Sequence, residues 1–293
     1  MPISQSFTLG SLRCHLLEAG RQRLDGGAMF GVVPKPLWSK RAPPDERNRI
    51  LLAMRCLLIE HPDGLVLVDT GLGDKEDPKF LDIYGVENAG DPGPTALEDA
   101  LRETGHRSED VRWVINTHLH FDHAGGNTLR GAEPPSHLAF PNATYVVQNN
   151  ELEFARCTNE RTRASYLPPN FEPVAAAGRW RLIDGEVEIL SGIRSRLTPG
   201  HVPWHQSIVI ESQGETAVYL GDVIPTSAHL PLVYIMGYDL EPLRTLESKR
   251  SLYRDALQGG WWVIFEHDPN VAMGRVVPEG KAIGLRDVCP SAT

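Results

Sequence analysis

Apolar positions in this chain fall into short runs that stop at turn residues, and four of these runs form two hairpin patterns. Residues 50–71, ILLAMRCLLIEHPDGLVLVDTG, contain two apolar runs on either side of the turn at 61–64. Residues 205–222, HQSIVIESQGETAVYLGD, repeat this arrangement around Gln213 and Gly214. Apolar runs of this length beside a Gly-containing turn are typical of β-hairpins. Both segments are therefore predicted to be paired strands.

Two other segments follow a helical pattern. In residues 94–105, PTALEDALRETG, Thr95 and Glu98 match a capping box and Gly105 provides a stop. Residues 241–257, EPLRTLESKRSLYRDAL, carry apolar side chains at helical spacing and precede the pair Gly259 and Gly260. The short apolar runs at 111–115 (VRWVI) and 261–265 (WWVIF) are predicted strands. The pattern at 151–180 favours no element.

Hairpins interleaved with helices fit neither a pure β-sandwich nor a pure parallel sheet. Two mixed β-sheets packed face to face, with helices on both outer faces, would bury all of these apolar runs. We therefore predict an α/β fold, a four-layer αββα sandwich, over a single domain of residues 1–293.

Composition and charge limit the partners of such a fold. Hydrophobic residues make up 41% and charged residues 23% of the chain, and the net charge is -9. A negative net charge argues against nucleic acid or an anionic membrane as the main partner. No apolar run approaches the ~20 residues that cross a bilayer, and no leader pattern opens the chain. The four cysteines lack CxxC spacing, which predicts a reducing, cytoplasmic location.

The densest polar cluster is THLHFDHAGG at residues 117–126, directly after the predicted strand at 111–115. His118 and His120 lie two residues apart on an extended segment and therefore point the same way. Asp122 and His123 follow one turn later. A single buried histidine is usually a hydrogen-bonded core residue, but four ligand-type side chains together would compete for few polar partners. The cluster therefore predicts a metal site.

Three remote ligand-type residues also stand at the ends of strand-like runs. These are His201 in TPGH, Asp222 in LGD and His267 in FEH. Together with the first cluster they make a set of seven, which exceeds one tetrahedral zinc and suits two metals with a shared ligand. No GxSxG motif is present, so we expect hydrolysis by metal-activated water.

Over residues 50–268, five motifs resemble those of the metallo-β-lactamase-fold hydrolases and occur in the same order: VDTG, THLHFDHAGG, TPGH, GD and EHD. The resemblance implies two divalent metal ions with a bridging hydroxide. Zinc is the expected metal, with cobalt, manganese or iron as alternatives. The resemblance also implies the ligands of each metal. His118, His120 and His201 would bind the first metal, Asp122, His123 and His267 would bind the second, and Asp222 would bridge the two.

The resemblance also suggests roles for residues near the ligands. Asp122 would accept hydrogen bonds from the nucleophile or shuttle a proton. Asp69 would orient a ligand, although a turn-forming role fits its local sequence equally well. His205 would orient a neighbour, since the set of seven ligands is complete without it. Hydrolysis of a carbonyl or phosphoryl ester is the reaction class that this arrangement favours.

Two further stretches resemble the quorum-quenching lactonases and the related phosphotriesterases: DGGAMFGVVPKPLW at 25–38 and GDVIPTSAHLPLVYIMGYDLEP at 221–242. The resemblance implies a lactonase that opens acyl-homoserine-type lactones. Phosphotriesterase or aryl esterase activity is one alternative, and a non-hydrolytic redox or metal-binding protein is another. A small-molecule lactone or ester would be the substrate. A homodimer is a candidate assembly.

The first stretch lies in a loop, residues 20–48, which we expect to contribute to the substrate pocket. Met29, Phe30, Val33 and Trp38 would line an acyl-chain pocket, although a loop that only packs on the surface fits as well. Many lactonases carry a tyrosine three residues after the bridging aspartate, where this chain has Pro225. His229 and Tyr238 are the candidates to replace that catalytic tyrosine.

Overall fold

The protein is described by a computed structural model that covers residues 3–131, 136–280 and 282–292. The ends of the predicted domain, residues 1, 2 and 293, lie outside the described residues, and the prediction of a single domain stays a prediction. Within the described ranges, no helix is long and apolar enough to cross a membrane.

The first half of the chain forms a seven-stranded mixed sheet with the order β1-β2-β3-β4-β5-β8-β9. Strands β1 to β4 are antiparallel neighbours, whereas β5, β8 and β9 continue the sheet in parallel. Its strands are β1 (Ser4–Leu9), β2 (Leu12–Asp25), β3 (Arg49–His61), β4 (Gly64–Val68), β5 (Val111–Ile115), β8 (Thr144–Gln148) and β9 (Trp180–Ile183). A separate small hairpin pairs β6 (Thr128–Arg130) with β7 (Ser136–Leu138).

The second half forms another seven-stranded sheet, in sequence order from β10 to β16. Only the pair β13 and β14 is parallel, and the other neighbours are antiparallel. Its strands are β10 (Glu188–Leu190), β11 (Ile193–Leu197), β12 (Gln206–Ser212), β13 (Glu215–Tyr219), β14 (Trp262–Ile264), β15 (Val271–Glu279) and β16 (Ala282–Pro290).

The described part of the chain also contains α-helices. They are α1 (Gly26–Phe30), α2 (Lys35–Trp38), α3 (Pro78–Tyr84), α4 (Ala96–Glu103), α5 (Phe121–Ala124), α6 (Asn149–Arg156), α7 (Glu172–Ala176) and α8 (Pro242–Gly259). Leu97 and Leu101 of α4 pack on the first sheet, and Leu252 and Ala256 of α8 pack on the second. Between the sheets, side chains such as Ile115 and Ile264 form one shared core. The four-layer αββα sandwich predicted from the sequence is confirmed.

The N-cap half of the predicted capping box and the predicted hairpin turn are present in the structure. The hydroxyl of Thr95 accepts a hydrogen bond from the backbone N–H of Glu98 at the start of α4. Gln213 and Gly214 both have positive φ, 47° and 82°, as the tight turn of a right-twisted hairpin requires. The segment at 20–48 differs from the expected loop, because its first residues complete β2 and the next ones form α1 and α2. Asp25 caps α1 by accepting a hydrogen bond from the backbone N–H of Ala28.

Candidate metal centre

The THLHFDHAGG segment leaves the end of β5 and enters the short helix α5, which begins directly after His120. This path buries His118 and His123 completely and leaves Asp122 only 6% exposed. Two glycines make the path possible, because a Cβ at Gly125 or Gly126 would overlap the backbone of the segment that follows β4. The glycines therefore let two backbones approach each other beside the ligands.

The second sheet brings the other three ligand-type residues to the same place. His201 follows β11, Asp222 follows β13 and His267 follows β14, so all three stand beyond the ends of strands. Nε2 of His201 lies 3.1 Å from Nδ1 of His120. Nε2 of His267 lies 3.2 Å from Nε2 of His123. The structure thus brings together all seven predicted ligand residues from the two halves of the chain.

The seven side chains form two adjoining groups. The ligand atoms of His118, His120, His201 and Asp222 lie within 4.8 Å of one another, as do those of Asp122, His123 and His267. Asp222 stands between the groups. Its Oδ2 is 3.1 Å from Nε2 of His201, and its Oδ1 is 3.1 Å from Nε2 of His267.

These side chains fit divalent cations better than they fit one another. The buried Nε2 of His118 has no hydrogen-bond partner among the residues that the structure describes. Facing ring nitrogens 3.1–3.2 Å apart share at most one proton, yet they match the separation of about 3.3 Å that two zinc ligands have at tetrahedral angles. Burial and the surrounding imidazoles hold the pKa of His118 well below its usual range, so its ring is neutral and its lone pair is free. This arrangement could hold two metal ions.

Buried acceptors orient the ligand rings. Oδ2 of Asp69 lies 3.1 Å from Nδ1 of His123, and the same carboxylate accepts hydrogen bonds from the N–H and the hydroxyl of Thr117. Nδ1 of His267 faces the carbonyl of Ala53 at 2.7 Å. Asp69 therefore contacts a ligand ring, and its own backbone has a positive φ of 55°. Such contacts fix ring orientation around a metal.

Several residues that contact the ligand side chains were not predicted from the sequence. Oδ1 of Asp239 lies 3.1 Å from Nδ1 of His201, and Oε2 of Glu266 lies 2.9 Å from Nδ1 of His123. Nε2 of Gln22 donates to Oδ2 of Asp122 at 2.5 Å.

His205 is not one of the seven ligand-type residues, because both of its ring nitrogens are engaged elsewhere. Its Nε2 accepts a hydrogen bond from the backbone N–H of Asp222 at 3.0 Å, and its Nδ1 faces Thr198. It positions the backbone of Asp222.

A cavity that opens to solvent lies over the ligand groups, and His120, Asp122, His201, Asp222 and His267 form its floor. Its apolar walls include Leu24, Met29, Leu52, Phe121, Met236 and Leu240. Polar side chains also reach it: Tyr84, Arg161, Thr162, Ser165 and Tyr238. An apolar cavity with a few convergent polar groups is the usual form of a small-molecule site.

Only one of the four predicted pocket residues lines this cavity. Met29 is part of its wall, whereas Phe30, Val33 and Trp38 lie behind the lining, in a core cluster that they share with Met29 and Met236. The rings of Phe30 and Trp38 are stacked with centroids 5.4 Å apart. These residues support the wall and do not face the cavity.

The two candidates for the missing tyrosine have different surroundings. Tyr238 lines the cavity. His229 is fully buried and outside the lining, with Nε2 at 2.8 Å from the carbonyl of Met29 and Nδ1 at 2.7 Å from the hydroxyl of Thr226. The carbonyl of Pro225 accepts a hydrogen bond from the N–H of His267. Tyr238 is therefore positioned to meet a substrate, and His229 anchors the N-terminal segment.

Comparison with known proteins agrees with this geometry. The metallo-beta-lactamase superfamily profile matches residues 55–261. The chain belongs to the metallo-beta-lactamase superfamily. Its ligand-type residues and its relatives make it a metal-dependent hydrolase of that superfamily.

Individual relatives support the resemblance to quorum-quenching lactonases. An N-acyl homoserine lactonase of Bacillus cereus is 31% identical over 240 residues, which are 79% of this chain and 88% of that protein. The crystal structure of a probable metal-dependent hydrolase from Staphylococcus aureus superposes with a TM-score of 0.86 at 33% identity, over 96% of this chain and 99% of that one. A dizinc quorum-quenching lactonase bound to its product has a TM-score of 0.79 at 19% identity, over 100% and 99% of the two chains, and shares the fold.

Proposed function

We propose that this hydrolase opens the lactone ring of N-acyl homoserine lactones at a centre of two divalent metal ions. The observation that carries the proposal is an apolar cavity placed directly over the seven converging His and Asp side chains. The N-acyl homoserine lactonase relative that covers 79% of the chain supports the substrate class.

Each part of the ligand set has a place in this proposal. His118, His120 and His201 would hold one ion, and Asp122, His123 and His267 the other, with Asp222 shared. When bound, two divalent ions supply Lewis acidity and lower the pKa of a coordinated water to about 7. Zinc is the proposed metal, because imidazole and carboxylate suit it.

The chain's own groups would bind and orient the lactone. The side chains of Met29, Leu52 and Met236 would contact the acyl chain and exclude water from it. Burial raises the pKa of Tyr238 to about 12, so its phenol stays protonated at neutral pH and can donate a hydrogen bond to the ester oxygen. Asp122 would accept a proton from the attacking water and return it to the leaving alcohol. Gln22 fixes that carboxylate through its amide N–H.

A chain-length series of acyl-homoserine lactones tests the substrate. Each buried methylene contributes at most ~0.8 kcal/mol, and the chain is bound alike in ground and transition states. We therefore expect longer acyl chains to lower the KM and to change the kcat little. Met29→Ala should reduce this preference while metal content stays the same. Val32→Ala is the matched control, because the Val32 side chain is 87% exposed.

Other outcomes would redirect the proposal. A flat series in all three proteins, or phosphotriesters and aryl esters hydrolysed faster than every lactone, would favour the esterase or phosphotriesterase alternative. Bound iron with oxygen consumption and without hydrolysis would favour a redox protein. A homodimer and a cytoplasmic location stay predictions that this assay does not address.

A further inference from the structure

A second cluster of ligand-type side chains lies at the other end of the first sheet. It consists of His15 on β2, Glu60 on β3 and His106 in the turn after α4. Gln22, which contacts Asp122, lies seven residues further along β2, roughly 23 Å away at about 3.3 Å per residue. The cluster is therefore separate from the dinuclear centre.

The three donor atoms are close enough to share one ion. Oε1 of Glu60 lies 2.9 Å from Nε2 of His15 and 3.5 Å from Nε2 of His106. All three ligand atoms lie within 4.8 Å of one another. The two distances from Oε1 of Glu60 lie on either side of about 3.3 Å, which is the separation between two ligand atoms of a tetrahedral zinc. A shift of a few tenths of an ångström would therefore suffice for coordination.

The most buried of the three side chains is already oriented. Nδ1 of His15 faces the hydroxyl of Ser6 at 2.8 Å, which directs Nε2 toward Glu60. Hydrogen bonding of one ring nitrogen while the other binds is the usual state of a histidine ligand. The side chains of Glu60 and His106 are 34% and 25% exposed, so an ion has a route from solvent and room for water ligands.

The surroundings of the cluster carry both charge signs. His106 also lines a surface cleft with Glu98, Arg102 and Glu109. Nε of Arg13 lies 3.8 Å from Oε1 of Glu60, and its side chain is 62% exposed. Because Arg13 is exposed, it can move away when a cation binds, but it competes for the same carboxylate.

We propose that His15, Glu60 and His106 form a third metal site, which binds one zinc-like divalent cation with water completing its shell. Two imidazoles and one carboxylate favour zinc, cobalt, nickel or copper over calcium or magnesium. The ion would connect β2, β3 and the turn after α4, three segments that are far apart in the sequence. Its role is to stabilise this end of the sheet.

Equilibrium dialysis of the purified holoenzyme against zinc tests the site, with His106→Ala as the variant and His137→Ala as the control. His137 is an exposed histidine on β7 and is not one of the three cluster residues. We expect the parent and His137→Ala to bind one zinc per chain more than His106→Ala does. The test depends only on the difference in zinc content between the parent and His106→Ala, so it does not require knowing how many ions the catalytic centre contains.

Two further measurements separate a metal site from a hydrogen-bonded network. Zinc added beyond catalytic saturation should raise the Tm of the parent and of His137→Ala, but not that of His106→Ala or Glu60→Gln. Arg13→Gln should bind the additional zinc several-fold more tightly, because a competing cation is removed. Equal zinc content and equal Tm shifts in the parent and His106→Ala would overturn the proposal. Weaker zinc binding by Arg13→Gln would also contradict it.

Discussion

Asp222 is the residue on which the proposed centre depends most. Its two oxygens face different histidines, His201 and His267, at 3.1 Å each, and it is the only one of the seven to stand between the two groups among the described residues. The two ring nitrogens of His205 instead bond to the backbone N–H of Asp222 and to the hydroxyl of Thr198. The two residues therefore differ in function although both are buried.

We expect Asp222→Ala to lose both metals and nearly all activity. His205→Ala should keep its metals and lose ~10–100-fold in kcat/KM, as is typical when a residue that orients a ligand is removed. Metal content and kcat/KM of the two purified variants check this, with circular dichroism as the control for folding. Equal and complete inactivation of two folded variants would show that His205 belongs to the ligand set.

Tyr238 is the second residue whose role can be isolated. If its phenol donates to the developing charge, Tyr238→Phe should lower kcat by roughly 10–150-fold and leave KM nearly unchanged, since a hydrogen bond to a charged group contributes about 1.5–3 kcal/mol. Tyr234→Phe is the control from the same loop, because Tyr234 packs against Phe30 and lies outside the cavity lining. Unchanged kcat in Tyr238→Phe would exclude the phenol from the reaction.

At this scale the sequence predicted the residues that share a motif and missed those that meet only in space. The seven ligand-type residues could be found because each follows a strand-like run. Asp239 and Gln22 contact ligand side chains, yet each is a single polar residue with no spacing pattern around it. Glu266 stands inside the EHD motif, but nothing in that motif assigned it a role beside His267. Tyr84 and Arg161 reach the cavity from segments whose position no local pattern encodes.

Among the elements, the N-terminal helices α1 and α2 show how a cavity wall is supported. Phe30 is stacked between Trp38 and His229, with ring centroids 5.4 Å and 4.4 Å apart. Lys249 of α8 donates to the carbonyls of His229, Pro231 and Tyr234 and so holds the facing loop. The wall therefore depends on packing behind it.

Trp38→Ala should lower the stability of the fold rather than change the chain-length preference. Removing a fully buried aromatic side chain costs about 3–5 kcal/mol, so the free energy of unfolding and the Tm should fall. Denaturant unfolding measures this loss, with Leu37→Ala as the control, because Leu37 is 50% exposed. If the chain-length preference changes in Trp38→Ala without any loss of stability, Trp38 lines the pocket as the sequence predicted.

Hairpins and long helices could be predicted because their signals are local. The turn at Gln213 and Gly214 and the stops at Gly105 and Gly260 depend on backbone conformations that glycine or a turn residue adopts at little cost. The segment at 20–48 could not, because α1 and α2 are only five and four residues long and their burial depends on the loop at 229–238. Residues 151–180 could not be predicted either, because most of them lie outside α-helices and β-strands and the one α-helix wholly within them, α7, has five residues.

For the whole molecule, the proposed metals would connect its two halves. His118, His120, Asp122 and His123 follow a strand of the first sheet, whereas His201, Asp222 and His267 follow strands of the second. Ions that bind the folded state alone stabilise it, by about 2.7 kcal/mol at a free concentration 100 times the Kd. The face-to-face packing of the two sheets could be predicted from the apolar runs, but the stabilisation of that packing by ions bound to both halves could not.

We expect chelation to lower the Tm of the protein and zinc to restore it in a concentration-dependent way. The loss should be smaller in Asp222→Ala, which binds the ions poorly before chelation. Differential scanning calorimetry of holo, chelated and reloaded protein measures the shift. An unchanged Tm after complete metal removal would show that the ions contribute to chemistry and not to the cohesion of the fold.

The division of the two sheets along the chain has a consequence for assembly. The first sheet ends at Ile183 and the second begins at Glu188, so the backbone passes between them once, through exposed Asp184 and Glu186. A cut there would yield two fragments, each with one complete sheet and neither with a full set of ligands. Co-expressed fragments should reconstitute a hydrolase whose association requires zinc, which pull-down with and without chelator would reveal. The enzyme would then serve as a metal-gated split reporter.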